Sequence, residues 1–361
     1  QGLVQGERRG DGQHALAAQR YAALRKAAKT PADADEAALL ACEAERRAHR
    51  LAAAAACFDE LAKSGRDRPT RARALLHGGE LRYDELGRPA DGVKMFQALV
   101  QRAPDTAAGL RALSHLMRFA ATDVARRREM LGWMLAAERA QPKSELADNL
   151  LLRSAELLAL SGQNAARKQA IALLSRMATD HPTSAAGLVG QELRAKMHRE
   201  LQQPAAEAKV LERIVGTIET SHVVASYIEP AHTRSLERLV DLYLGPLNKP
   251  ALAEARLRRL LATAHAPRQV FTWLARMATL QEKAGRHRDA VTTWRQLLAE
   301  AKRRQADMAR NDRRICGEEA DASKRKQCLK EVAGHAALPV KELAWARAAI
   351  NRLQANPGRR P

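Results

Sequence analysis

Gly79 to Pro104, GELRYDELGRPADGVKMFQALVQRAP, reads as the end of one helix, a tight turn at Gly87-Arg88-Pro89, and a second helix closed by Pro104. Pro89 falls in the first turn of that second helix, where its missing N–H leaves no intrahelical bond unmade. Val93, Phe96, Leu99 and Val100 recur at helical spacing and form one apolar face. Neither helix can bury its stripe alone, so the hairpin needs a neighbour on each side.

The chain supplies them in both directions. A polar, Gly-rich stretch over 1–12 reads as a flexible lead, followed by a first helix over 13–29. Helical pairs then recur at 32–47 with 50–64, 68–86 with 89–102, 106–121 with 124–140, 144–160 with 165–179, 183–201 with 205–219, 226–244 with 251–265, and 268–284 with 287 to about 304. A charged, Cys-bearing segment and a last helix over 339–354 complete it, so the expected division is 1–12, 13–305 and 306–361. Residues 356–361 read as a frayed end. Aligning the second helices where they cross their partners gives Ala54, Gly92, Met130, Ala170, Glu207, Ala253 and Ala290. Their spacings are 38, 38, 40, 37, 46 and 37 residues. A step that regular is the signature of a helical-repeat solenoid, and the long spacing coincides with an insertion at 223–230.

Composition agrees. Hydrophobic residues are 46 %, much of it Ala, and aromatics are 3 %, which suits close-packed helices and not strands. No apolar run reaches the length of a membrane span. The net charge of +20 brings a nucleic acid, an anionic lipid or cell-wall polymer, or an acidic protein to mind. Arg exceeds Lys about threefold, however, and the basic residues are spread along every helix, as a generally basic solvated surface would have them.

The order Tyr83, Gly87, Gly92, Phe96 and Pro104 resembles the tetratricopeptide-repeat pattern, as do Gly285, Ala290 and Trp294, and more weakly Ala54 with Phe58 and Ala170 with Pro182. The resemblance spans about 32–305, and departs in its longer period and in lacking the first-helix tryptophan. It implies an all-α, right-handed α-solenoid of about seven stacked antiparallel hairpins. It also implies a groove lined by the first helices. Carried over by position, the groove takes Glu36, Leu39, Glu43 and Arg46, then Ala74, His77, Leu81, Asp84 and Glu85. It continues with His115 and Phe119, with Glu192, Lys196 and Arg199, and with Thr272, Thr279 and Glu282. That mixture of His, Arg, carboxylate and occasional apolar residues suits an extended peptide or a partner's helix.

Four cysteines form two local pairs. Cys316 and Cys328 flank a polar loop that a disulfide would restrain by roughly 3 kcal/mol in the loop-entropy model. Cys42 and Cys57 lie on the two helices of the first hairpin, about three residues out of opposition, so a bond there remains open. Two bonds would imply an oxidising compartment such as the periplasm; four buried thiols in a cytosolic helical protein is the alternative. The cysteines lack C-x2-C spacing, so neither a metal nor another cofactor is expected. The Gln-Gly-Leu-Val start reads as a mature or trimmed end, which leaves a removed signal peptide and a lipid tether open.

Eleven histidines are scattered singly, none in the H-E-x-x-H spacing, and no nucleophile elbow, phosphate loop or dinucleotide fingerprint occurs. Gly78-Gly79 sits inside a helix, where close helix packing is the expected use. The sequence therefore predicts a non-catalytic scaffold of the bacterial envelope that binds protein partners. A basic helical-repeat binder of nucleic acid or polyanion is the alternative; it lacks stacking aromatics or paired readout residues at fixed repeat positions.

Overall fold

Five helix starts are set by short polar side chains. Thr30, Asp67, Thr106, Asp123 and Ser184 each accept a hydrogen bond from the backbone N–H three residues on, satisfying a donor the helix leaves unpaired. The turns inside hairpins are set by left-handed backbone. Gly87, Gly162 and Gly285 take φ of 64°, 72° and 72°, and His49, Gln202 and Asn248 take the same region at 54°, 56° and 45°. Only glycine enters it without a steric penalty.

The computed structural model describes residues 2–182, 184–220, 228–263, 267–317, 322–335 and 340–355. Among them are seventeen α-helices, one π turn and no strand. Two compact units divide the chain between Gln202 and Gln203, inside what the sequence reads as the fifth hairpin. Most of the 223–230 insertion, Gln1 and the 356–361 end lie outside the described residues.

The first unit contains α1 (Gly2–Ala27), α2 (Pro31–Arg47), α3 (Leu51–Ser64) and α4 (Arg68–Glu80), which runs into the π turn Leu81–Glu85. It continues with α5 (Pro89–Arg102), α6 (Ala107–Ala120), α7 (Val124–Ala140), α8 (Ala147–Ala159), α9 (Asn164–Asp180) and α10 (Ala185–Glu200). Each helix packs on the one before and the one after, and each hairpin's first helix also touches the next first helix: α2 with α4, α4 with α6, α6 with α8, α8 with α10. That double pairing makes the unit an α-solenoid. The second unit contains α11 (Pro204–Thr220), α12 (Ile228–Leu244), α13 (Pro250–Ala262), α14 (Pro267–Lys283), α15 (His287–Gly317), α16 (Ala322–His335) and α17 (Val340–Ala355). Here consecutive packing holds through α15, and α17 then returns to pack on α15 and α14, taking the place of a further first helix.

The crossing residues carry the packing. Ala54, Met130, Ala170, Ala253 and Ala290 are all fully buried, as are the larger Phe58, Met134, Leu174, Leu257 and Trp294 four positions later. At the second hairpin the approach is closest. A Cβ on Gly92 would lie 2.7 Å from the Gly79 carbonyl oxygen, and one on Gly79 would lie 2.5 Å from the Phe96 ring. Close packing is thus the use of Gly79. Glu207 is the polar exception at a crossing. It is buried, and Arg238 grips it with Nε at 2.7 Å and Nη2 at 3.0 Å.

Two expectations need correction, and the open question of the Cys42–Cys57 bond closes. The helix expected to start at Gln13 begins at Gly2, since no proline precedes Pro31 to stop it. The boundary at 305 falls within α15, which runs to Gly317 because neither Gly nor Pro occurs between Arg286 and Cys316. Cys42 and Cys57 are bonded, with Cα atoms 5.4 Å apart. The turn pivots on His49, seven residues after the first cysteine and eight before the second, so the two stand opposite one another. Cys316 and Cys328 are also bonded, stapling the end of α15 to α16.

Candidate functional site

In an uninterrupted α-helix, residues five apart point about 140° away from each other. The π turn at Leu81–Glu85 closes with Leu86 N–H donating to the Leu81 carbonyl, and that wider turn brings Glu80 and Glu85 to the same side. Arg46 of α2 reaches both: its Nε donates to Glu85 at 2.5 Å and its Nη1 lies 4.0 Å from Glu80. Turns of this kind recur at functional sites.

Glu80 is the centre of the arrangement, its side chain 11 % exposed. Arg111 of α6 donates to its Oε1 at 2.7 Å, His115 Nε2 lies 3.2 Å from the same oxygen, and His77 Nδ1 lies 3.2 Å from Oε2. Burial alone would raise its pKa. The His77 hydrogen bond, the Arg111 and His77 charges and the His115 hydrogen bond outweigh burial, and the pKa is lowered to about 2. Glu80 is therefore a fixed anion. His115 is held from three sides: its ring stacks on Phe96 at 4.6 Å, its Nδ1 faces Arg118 Nη2 at 3.1 Å, and its Nε2 faces Glu80. Those partners match the neutral ring with its proton on Nε2. Arg118 also donates to Asp84 at 2.8 Å and lies over the Tyr83 ring at 4.5 Å.

Beside this network opens a cleft of about 550 Å³ whose walls include His14 of α1, Glu43 and Arg47 of α2, His77 of α4 and Glu85. Every described residue lining it is His, Arg or Glu. Glu43 meets His77 Nε2 and Arg47 each at 3.5 Å, long contacts that leave its carboxylate free to accept a stronger donor. The cleft can hold an incoming cation against Glu43 or an anion against Arg47. It contains no hydroxyl or thiol nucleophile. No group of three or more His, Cys, Asp or Glu among the described residues is placed to hold a metal ion.

Of the residues expected in the groove, the fold brings Glu43, Arg46, His77, Asp84, Glu85 and His115 together. Leu39, Ala74, Leu81 and Phe119 do not line it: all four are buried in the core between helices. Each is apolar and sits on the side of its first helix that packs against neighbouring helices. Glu36 pairs with Arg73 of the next first helix. On α10, Glu192 is half-buried and Lys196 and Arg199 are exposed, with Lys196 Nζ 3.9 Å from Glu200. In the second unit Thr272 and Thr279 line a separate cleft on α14. Glu282 accepts from Trp294 Nε1 at 2.7 Å and from Arg352 at 2.7 Å, which makes it a packing anchor and not an open contact. Glu80, Arg111 and Arg118 were not anticipated; the signal available for Arg111 and Arg118 was their spacing of 31 and 34 residues from Glu80 and Asp84, close to one repeat.

No protein-family model and no curated protein sequence matches the chain. Among solved structures, a tetratricopeptide repeat protein from Parabacteroides merdae is similar at 10 % identity, covering 83 % of this chain and 98 % of that one, with a TM-score of 0.33. A putative kinesin light chain with TPR-like repeats from Podosopora anserina is similar at 17 % identity, covering 55 % and 96 %, with a TM-score of 0.36. The helix pairing and crossing residues described above, and not these likenesses, define the architecture as a TPR-like all-α repeat.

Proposed function

We propose that this protein is a non-catalytic scaffold of the bacterial envelope, acting in the periplasm, that holds segments of partner proteins along the first-helix faces of its hairpins. The observation that carries the reading is the charged cleft beside Glu80. Its groups are fixed by neighbours on three successive first helices, so a bound segment loses freedom while the site loses little. The envelope part of the proposal is supported by the two disulfides, which persist in oxidising compartments.

The polyanion alternative draws on the +20 charge. Against it, the Arg residues of the first helices alternate with acids they already grip: Arg46 with Glu85, Arg111 with Glu80, Arg118 with Asp84, Arg276 with Asp241. A mixed face suits a protein partner better than a phosphate backbone, which wants uncompensated cations.

A photocrosslinking amino acid at Arg47, an exposed cleft residue, should capture protein in the periplasm of a producing bacterium. The same group at Gly132, exposed on the second helix α7, should not. Equal capture at both positions, or retention on DNA that weakens steeply with salt, would refute the scaffold. Alkylation of unreduced protein should find no free thiol; four would remove the periplasmic assignment.

A further inference from the structure

We propose that the second unit carries a groove of different chemistry, which takes an acidic segment of a partner protein anchored by a large apolar side chain. This inference rests on the scaffold reading and names the ligand class of one of its faces. The groove has a volume of about 700 Å³ and its floor is one face of α14, from Thr272 through Arg276 and Thr279 to Lys283. Leu244 at the end of α12 forms one wall and Trp345 of α17 the other.

Trp345 is the anchor point. It is 47 % exposed, yet it is not free to wander: it meets Trp294 edge-on, with ring centroids 4.9 Å apart. Trp294 is fully buried and donates its Nε1 to Glu282. An exposed indole braced by a buried one offers a large apolar surface at low entropic cost, the character of residues that dominate interfaces. Leu244 is also exposed, and Leu280 lies beneath.

Charge then selects the occupant. Among the described residues, the charged ones lining the groove are Arg276 and Lys283, with no carboxylate. Arg276 shares its charge with Asp241, whereas Lys283 has no ion-pair partner among the described residues. The eleven helical steps from Thr272 to Lys283 give a floor roughly 16 Å long, enough for about five extended residues. Arg276 and Lys283, seven apart on the helix, are separated by roughly 10 Å along it, the rise of three extended residues. In a polyproline-II-like segment, with three residues per turn and about 3.1 Å per residue, two acidic side chains three positions apart point the same way and fit this spacing, and the apolar residues between them face Trp345. The all-charged cleft of the first unit has no apolar wall for such a segment.

The test uses full-length protein and fluorescein-labelled peptides, read by fluorescence anisotropy. The probe Gly-Glu-Leu-Phe-Glu-Gly should bind, while Gly-Lys-Leu-Phe-Lys-Gly and Gly-Glu-Ser-Ser-Glu-Gly should bind at least about tenfold more weakly, since each lacks one of the two matched features. Trp345→Ala should weaken the acidic probe about tenfold or more. Lys283→Glu should weaken it about fivefold and shift preference toward the lysine probe. If Trp345→Ala loses helical content, Lys283→Glu decides alone, because its side chain is exposed. No binding of the acidic probe below about 1 mM, equal binding of all three, or binding unaffected by either substitution overturns the proposal. So does a concentration-dependent dimer that Trp345→Ala abolishes, since the occupant is then a second copy. Capture of a partner from Arg47 with no peptide sensitive to Trp345 or Lys283 defeats this groove alone and leaves the scaffold standing.

Discussion

Replacing Glu80 by Gln keeps the shape of the protonated acid and removes the charge around which Arg111, His77, His115 and Arg46 gather. The folded pKa is about 2, below the ordinary 4.5, so the stabilisation is fully present above pH 4.5 and is lost as pH falls toward 2. The drop of about 2.5 units corresponds to about 3 kcal/mol. About 2 kcal/mol of it should already be gone at pH 3. Wild type and Glu80→Gln should therefore differ by about 3 kcal/mol at neutral pH, about 1 at pH 3, and less at pH 2. For a unit of this size the neutral-pH difference lowers Tm by roughly 6–12 °C. Urea-dependent hydrogen exchange of peptides from 68–120 reads this locally. A difference under about 0.5 kcal/mol at pH 7, or one that stays constant down to pH 2, would refute the assignment of Glu80 as the fixed anion of this network.

Two further substitutions probe the helix crossings. Glu207→Ala puts a small residue at its crossing but leaves Arg238 without its bidentate partner, and should cost about 3 kcal/mol. The double variant Glu207→Ala with Arg238→Met should recover most of that in urea denaturation, and no recovery would show that the pair is not the reason for the buried acid. Gly79→Ala improves helix propensity by about 1 kcal/mol, yet its Cβ falls 2.5 Å from the Phe96 ring. Overpacking should win, with a net loss of about 1–2 kcal/mol in thermal melts; a rise in Tm would show that the ring moves aside freely.

The repeat step was legible because most helix crossings take a small residue. Ala54, Gly92, Ala170, Ala253 and Ala290 let the backbones approach closely, Met130 fills its crossing with a flexible side chain, and the spacing between them survives great sequence divergence within the chain. The turn glycines were legible for a similarly local reason, the left-handed φ they adopt. The π turn was not, since LRYDE differs in no local respect from an α-helical stretch. Only the neighbours that grip Glu80 and Glu85 hold it open, and these lie on α2 and α6. Counting groove positions put Leu81 in the groove, one residue from Glu80, whereas the fold buries Leu81 and sets Glu80 on the cleft. Trp345 escaped notice because α17 follows a long α15 and the α16 hairpin, which interrupt the step that marks the other first helices.

The ion pairs give a physical reason for the mixed character of the first-helix faces. Many of the acids on them are gripped by an Arg roughly one repeat away: Glu36 by Arg73, Glu80 by Arg111, Asp84 by Arg118, Asp241 by Arg276. In each of these pairs the acid comes from the earlier hairpin and the base from the later one. The first helices thus mate like a series of complementary edges, base toward the preceding hairpin and acid toward the next, and a hairpin stacked the wrong way round would set acid against acid or base against base. Such pairs contribute modestly to stability where exposed, but like charges brought together in wrong register cost several times as much. The same chemistry then limits what the faces can bind. Acids already held by a neighbour's base attract little from solution, so the scaffold proposed above would recognise partners through groups the ladder leaves over: Glu43 with its long contacts in the first unit, and Lys283 beside Trp345 in the second. On that proposal a partner is chosen by these exceptions to the ladder and not by the net charge of the chain.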